Sequence, residues 1–286
     1  MLPRPTIIGV VNVTPDSFSD GGHFLSSADA VRRAEQLLDD GADIVEFGGE
    51  STRPGATPVS ADEELSRILP VIEQLLCRRP DARIAVDTVK SAVASAALAQ
   101  GASIINDVSA FSLDPEMGVV CARAGCTVVL MHSRGNVQTM ASYDHATYRE
   151  PVVTEIRREL LAAVDRATSS GVSRGAIVLD PGIGFAKTPE QSLQALANLS
   201  ELADLGFTLM VGASRKRFIG EITGVQLASE RDEGTIGAHV VALTRGATWF
   251  RVHNVRAHRH ALDVAHAVVQ AGMPVRSYAD GLEGRA

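Results

Sequence analysis

The sequence predicts an α/β fold, a single (β/α)8 barrel spanning residues 1–286, with its core at about 6–272 and a tail at about 273–286. Three observations point there. A punctuation recurs in which a helix-like stretch ends in Gly, two small or polar residues follow, and an apolar run begins. It is read in DDGADIVEF (39–47), AQGASIIND (99–107), RAGCTVVLM (123–131), DLGFTLMVG (204–212) and TRGATWFRV (244–252). Gly suits the left-handed position that closes a helix, and the β-branched run suits a strand buried on both faces. Strand and helix patterns then alternate eight times, the arithmetic of a closed barrel. Finally, the connections are lopsided: those entering strands are short, whereas four of those leaving strands are long, which gathers the long set on one rim.

The elements follow in order. TIIGVVNV (6–13) is the first strand, and it leads into GVVNVTPDS rather than the GxGxxG turn of a doubly wound dinucleotide-binding sheet. A long polar connection, 14–26, precedes a helical pattern at 27–40. The second strand, within 39–47, leaves through 48–60 to a helix at 61–77, where Ser60 and Glu63 spell a capping box. ARIAVDT (82–88) is the third strand, followed by helices at 89–100 and, after the fourth strand, at 115–124. The fifth strand opens the connection 132–149 before a helix at 150–170, and AIVLDPG (176–182) is followed by a helix at 189–204. The seventh strand feeds 213–229, a helix at 230–245, the eighth strand and a last helix at 256–271.

Composition fits this reading. Hydrophobic residues make up 45% of the chain and aromatics only 4%, so the core is aliphatic. No apolar run approaches the roughly 20 residues of a membrane span, and MLPRPTIIG lacks the pattern of a secretory signal. Cys77, Cys121 and Cys126 fit no zinc spacing and are read as buried thiols of a reduced, cytoplasmic protein. The net charge of -7 argues against a broad nucleic-acid surface while leaving room for a local pocket for an anion.

Apolar runs end in polar residues: Asn12, Glu50, Asp87, Asn106, His132, Asp180, Ser214 with Lys216, and Arg251 with His253. One such residue is ordinarily a turn former or helix cap. Eight on one rim, with Arg and Lys among the acids, point to a site. Asp87, which also stands as a possible cap of the next helix, is grouped with Asn106 and Asp180 as acceptors from three adjacent strands. They suit a flat heterocycle with an amidine- or guanidine-like edge, whose paired N–H donors match a carboxylate. Arg53, Lys216, Arg251 and His253 are donors suited to phosphate oxygens, whereas Arg217 reads as a solvated charge. His132 is either a general base or a hydrogen-bonded structural histidine. No nucleophile–base pair, HExxH or Walker A motif occurs, so the rim is read as working by positioning and electrostatics around an anionic leaving group.

NVTPDSFSDGG (12–22), GGESTRPGA (48–56), VDT (86–88), IIND (104–107), LMH (130–132), LDPGIGFAKT (179–188), GASRKRFIG (212–220) and RVH (251–253) together resemble dihydropteroate synthase, in order from about residue 6 to 270. The resemblance implies condensation of 6-hydroxymethyl-7,8-dihydropterin diphosphate with p-aminobenzoate to give 7,8-dihydropteroate and pyrophosphate. By it, Asp87, Asn106, Asp180 and Lys216 contact the pterin, and Met131, Gly184 and Phe185 line its pocket. Asp16, Ser17, Phe18, Thr52, Arg53, Pro54, Ser214, Arg251 and His253 surround the diphosphate and p-aminobenzoate, Arg53, Lys216, Arg251 and His253 being the catalytic set. Asn12 matches the ligand of a diphosphate-bound Mg²⁺. The first two loops close as a lid with Phe18 as its apolar face, and a homodimer forms through barrel helices. No nucleic acid or membrane partner is implied.

Four positions depart from the family pattern: Glu46-Phe47 where Asp-Ile or Asp-Val is typical, Ser192 for Asn, and Asn254 for Asp. Phe47 is expected to alter packing beneath the second loop. STRPGATPV favours an ordinary sulfonamide-sensitive pocket over a resistant one. The competing reading is a pterin- or methyltetrahydrofolate-binding barrel without synthase activity.

Overall fold

The computed structural model describes residues 2–14, 27–51 and 57–272. Eight parallel strands close in sequence order: β1 (Thr6–Asn12), β2 (Ile44–Gly48), β3 (Ile84–Asp87), β4 (Ile104–Asp107), β5 (Thr127–Met131), β6 (Ile177–Asp180), β7 (Thr208–Val211) and β8 (Trp249–Val252). Closure is by β1 on β8, with Ile8 opposite Arg251. The helices are α1 (Ser27–Asp39), α2 (Ala61–Arg78), α3 (Ser91–Ala99), α4 (Met117–Ala124), α5 (Val152–Ser169), α6 (Pro189–Ala197), α7 (Ser200–Ala203), α8 (Arg217–Thr223), α9 (Asp232–Thr244) and α10 (Val255–Ala271). Among the described residues no helix is long and apolar enough to cross a membrane.

Two apolar layers follow from the period-two alternation of a strand. Outward-facing Val45, Phe47, Val86, Leu130, Leu179 and Phe250 pack with helical residues such as Ile68, Leu75 and Ile156 in the main core. Inside the barrel each strand contributes one residue to a plug: Ile8, Ile44, Ala85, Ile104, Val129, Val178, Met210 and Trp249. Two positions further along each strand the interior changes chemistry, to Val10, Glu46, Asp87, Asn106, Met131, Asp180, Gly212 and Arg251. The plug makes the barrel solid below, so this second ring is the floor of the mouth.

Several local readings need correction. The single helix expected at 189–204 is two, α6 and α7, because Asn198 donates from its side chain to Gln194 O at 2.8 Å and draws the chain out of the helix. The connection after β7 carries its own helix, α8, where the sequence pattern suggests only a loop. Ser60 caps α2 by accepting from Glu63 N at 3.1 Å, but the Glu63 carboxylate pairs with Arg67, so the box is half formed. A complete box occurs instead at Thr188 and Gln191, ahead of Pro189 at the start of α6. Cys121 and Cys126 are buried as expected; Cys77, near the end of α2, is exposed.

Candidate active site

Strand ends bring the floor residues together. Arg251, on β8, donates from Nη2 to Asp87 Oδ2 on β3 at 3.0 Å and from Nε to Glu46 Oε1 on β2. Asn106, on β4, donates from Nδ2 to Glu46 Oε2 at 2.9 Å, while its Oδ1 is buried with no partner. Asp180, on β6, closes a turn by accepting from Gly182 N at 2.7 Å. Gly212, just past β7, lies between Asp180 and Arg251: a Cβ there would stand 3.8 Å from Asp180 Oδ2 and 3.6 Å from the Arg251 Cβ. The end of β7 therefore brings no side chain into this part of the floor.

The wall above is apolar and cationic. Val108, Met131 and Phe185 belong to one small cluster, and the Lys216 amine lies 4.4 Å from the centre of the Phe185 ring while donating to Ile183 O. Gly184 packs against the Lys216 stem, which would stand 3.1 Å from a Cβ, and its φ of +78° adds a second reason for glycine. Ser214 and His253 form a pair with Oγ and Nδ1 2.8 Å apart, and the Ser214 hydroxyl also accepts from His253 N. Asn12 ends β1 beside this floor, its Oδ1 3.7 Å from the Cβ position of Gly48.

Burial sets the charges. It pushes the Asp87 carboxyl up to about 7 even against the neighbouring Arg251 guanidinium, and raises Asp180 despite the nearby Lys216 amine. Burial also brings the Lys216 amine down to about 8, with Asp180 opposing. Arg251 is held charged above its usual range, because Glu46 and Asp87 outweigh its own desolvation. Asp87 and Lys216 are thus the two groups here that change charge near neutral pH, while Arg251 stays charged.

Some expected groupings change. Asp87, Asn106 and Asp180 do not come from three adjacent strands, since β5 with Met131 stands between β4 and β6. Arg251 is not confined to an anion sub-site; it is bonded into the acceptor floor. Asp87 does not cap the following helix, whose cap position is Lys90 with no side-chain cap bond. Both ring nitrogens of His132 are engaged, Nε2 by Glu159 at 3.0 Å and Nδ1 by the Lys187 amine at 2.9 Å. Burial and then Lys187 lower it to about 4, which makes it a structural histidine. Glu50 lies at the base of the second loop, accepting from Val59 N and from Lys90. Arg217 is exposed as expected, over the Tyr143 ring at 3.7 Å. Asp16, Ser17, Phe18, Thr52, Arg53 and Pro54 lie outside the described residues.

Two residues escape the sequence reading. Glu46 is two positions beyond Ile44, and the period-two rule alone turns it into the barrel. Lys187 is fully buried, with its amine on His132, Gly182 O and Phe185 O, tying the β6–α6 turn to β5; nothing in GFAKT announces a buried lysine. The remaining departures are also placed. Phe47 faces the helix layer rather than the mouth. Ser192 accepts from Gly184 N at 3.3 Å. Asn254 caps α10 through Oδ1 as an Asp would, and its Nδ2 donates to Asp232, a bond that an Asp could not make.

Residues 8–253 match the model of the family described as pterin binding enzyme. The dihydropteroate synthase of Synechocystis sp. is 44% identical over 265 residues, which is 93% of this chain and 90% of that protein. That of Mycobacterium leprae is 44% identical over 271 residues, covering 93% of this chain and 94% of its own. The structure is also similar to Xanthomonas albilineans dihydropteroate synthase with 4-aminobenzoic acid, with a TM-score of 0.86 at 42% identity over 95% and 94% of the two chains.

Proposed function

The chain belongs to the pterin binding enzymes and, among them, to the dihydropteroate synthases; from that premise we propose how its own residues carry out the condensation. The observation that carries the reading is the floor itself: a buried acceptor without a partner, Asn106 Oδ1, between two carboxyls, Asp87 and Asp180, with the Lys216 amine on the wall. An aminopyrimidinone edge brings the N–H donors that such a floor lacks. The ring then lies against Met131 and Phe185, with its hydroxymethyl diphosphate directed toward Arg251, Ser214, His253 and Asn12.

Arg251 is suited to a charge that grows on the departing diphosphate because it is fixed beforehand by Glu46 and Asp87 and needs no reorganisation. His253, set by Ser214, offers a second polar group. The carbon–oxygen bond breaks ahead of amine attack, and the electron-rich dihydropterin delocalises the methylene cation. The aryl amine, uncharged at neutral pH, adds without a strong base and then loses its surplus proton to water or to the departing pyrophosphate. The engagement of His132 on both ring nitrogens agrees with this, since it leaves that histidine no site for a substrate proton. Asn12 supplies a hard oxygen donor of the kind Mg²⁺ takes together with phosphate oxygens and water, and the described residues form no cluster of three or more acidic, His or Cys ligands. Bound there, Mg²⁺ would neutralise diphosphate charge. Arg53, Thr52, Pro54 and the Asp16-Ser17-Phe18 stretch are assigned to the p-aminobenzoate side by resemblance to the family.

A homodimer is part of the proposal, supported by the exposed Val264 and Val268 on α10 and Val241 on the adjoining α9. Mixing the protein with pterin diphosphate should release pyrophosphate only when p-aminobenzoate and Mg²⁺ are both present in turnover. A well-folded protein that binds pterin and never turns over would instead favour the binding-barrel reading.

A further inference from the structure

We infer that Glu46 is a positioning residue that sets the hydrogen-bond polarity of the pterin floor by fixing which limb of the Asn106 amide is free. The inference rests on the pterin reading above for its consequence, while its geometry is read from the hydrogen bonds of this chain. Glu46 lies in register with Val10 on β1 and Ala85 on β3, at the second interior ring, and is 1% exposed. Both carboxylate oxygens are used: Oε1 accepts from Arg251 Nε and Oε2 from Asn106 Nδ2 at 2.9 Å.

A side-chain amide has an acceptor limb and a donor limb, and packing alone seldom selects between them. Here chemistry selects. A carboxylate accepts and cannot donate, so Asn106 must turn its NH₂ to Glu46. Its Oδ1 is left as a buried acceptor without a partner. Such an atom is costly until a donor arrives, and a ring N–H is that donor. Glu46 is also the position where the family typically has the shorter Asp. Here one carboxylate bonds residues of β4 and β8 together. Glu46 touches no substrate in this scheme; it acts through Asn106 and Arg251.

The exchange Glu46→Gln keeps the shape and reverses the logic. If the new amide oxygen accepts from Arg251, the new NH₂ faces Asn106, which must flip and offer its own NH₂ to the ring. Binding of 6-hydroxymethylpterin, followed by calorimetry at one pH, should weaken by about tenfold or more, the scale of one charge-assisted hydrogen bond lost against a donor–donor contact. The paired variant Glu46→Gln with Asn106→Asp restores the pattern: the new amide donates to one oxygen of the new carboxylate, and the other oxygen is again a free acceptor. It should recover most of the lost affinity, which a purely structural role for Glu46 would not produce. Melting temperatures identify any variant that has simply failed to fold. Unchanged affinity in Glu46→Gln, or a paired variant no better than the single one, overturns the inference.

Should the wild-type protein itself bind no pterin, the function proposed above fails, and the ligand-free protein still decides on Glu46. The Asn106 side-chain NH₂ should exchange slowly with solvent in the wild type and faster in Glu46→Gln. Equal exchange in the two proteins contradicts the inference.

Discussion

Asp180 and Asp87 carry the sharpest expectations at the level of single residues. Asp180 is buried and accepts one hydrogen bond from Gly182 N, through Oδ1. Asp180→Asn should weaken pterin binding by roughly 1.5–3 kcal/mol, the loss of one charged partner, measured by calorimetry; unchanged affinity would mean the acceptor set is wrongly assigned. Asp87 has its pKa raised by burial to about 7, so below that pH the free protein carries a proton there. That proton must leave before two ring donors can be accepted, and affinity should fall as pH is lowered through that value. The decline approaches about tenfold per pH unit well below the pKa. Above about 8 the Lys216 amine loses its proton, which bounds the optimum on the alkaline side. Asp87→Asn should flatten the acidic limb; a limb that persists in that variant would place the titration elsewhere. Asp87, Asn106 and Asp180 are legible in the sequence because eight apolar runs end in polar residues on one rim, with Arg and Lys among the acids. Glu46 is not, because it sits inside the run VEFGG, where only the alternation from Ile44 gives its direction away.

Elements show where local chemistry overrides pattern. Five of the eight strands are legible from their Gly-led runs and the other three from their apolar runs, and closure of the barrel follows from their sequential order around it. The detail of the loops that carry chemistry is not. α8 is seven residues long, too short for periodicity to reveal. The turn after β6 holds Gly182, Gly184 and Ala186 at positive φ, and its anchor is the Lys187 amine on Gly182 O and Phe185 O at 3.1 Å each. Replacing that amine leaves two carbonyls and His132 without their donor. Lys187→Met should therefore lower stability by about 1–3 kcal/mol in chemical denaturation, with pterin affinity falling as the turn under Phe185 and Gly184 loosens. Stability equal to the wild type would remove the lysine from its anchoring role.

The whole molecule is a barrel whose lower interior is sealed by an apolar plug and whose upper ring is polar. Arg259 on α10 helps close it, donating to Pro5 O at 2.8 Å and pairing with Asp43 at 3.1 Å, so the last helix is tied to the first strand and to the turn before the second. Strands distant in sequence can then share one guanidinium: Arg251 spans β8, β2 and β3. In the proposed condensation this rigid charge pattern, rather than a general base, lets the diphosphate depart before the amine attacks. Positional isotope exchange tests it most directly. Pterin diphosphate labelled with ¹⁸O at the ester oxygen is incubated with the protein and Mg²⁺ without p-aminobenzoate. Scrambling of the label into the non-bridging oxygens of the adjacent phosphorus, faster than in protein-free controls, is the predicted result. An unscrambled label, from protein that forms dihydropteroate once p-aminobenzoate is added, would contradict departure ahead of attack.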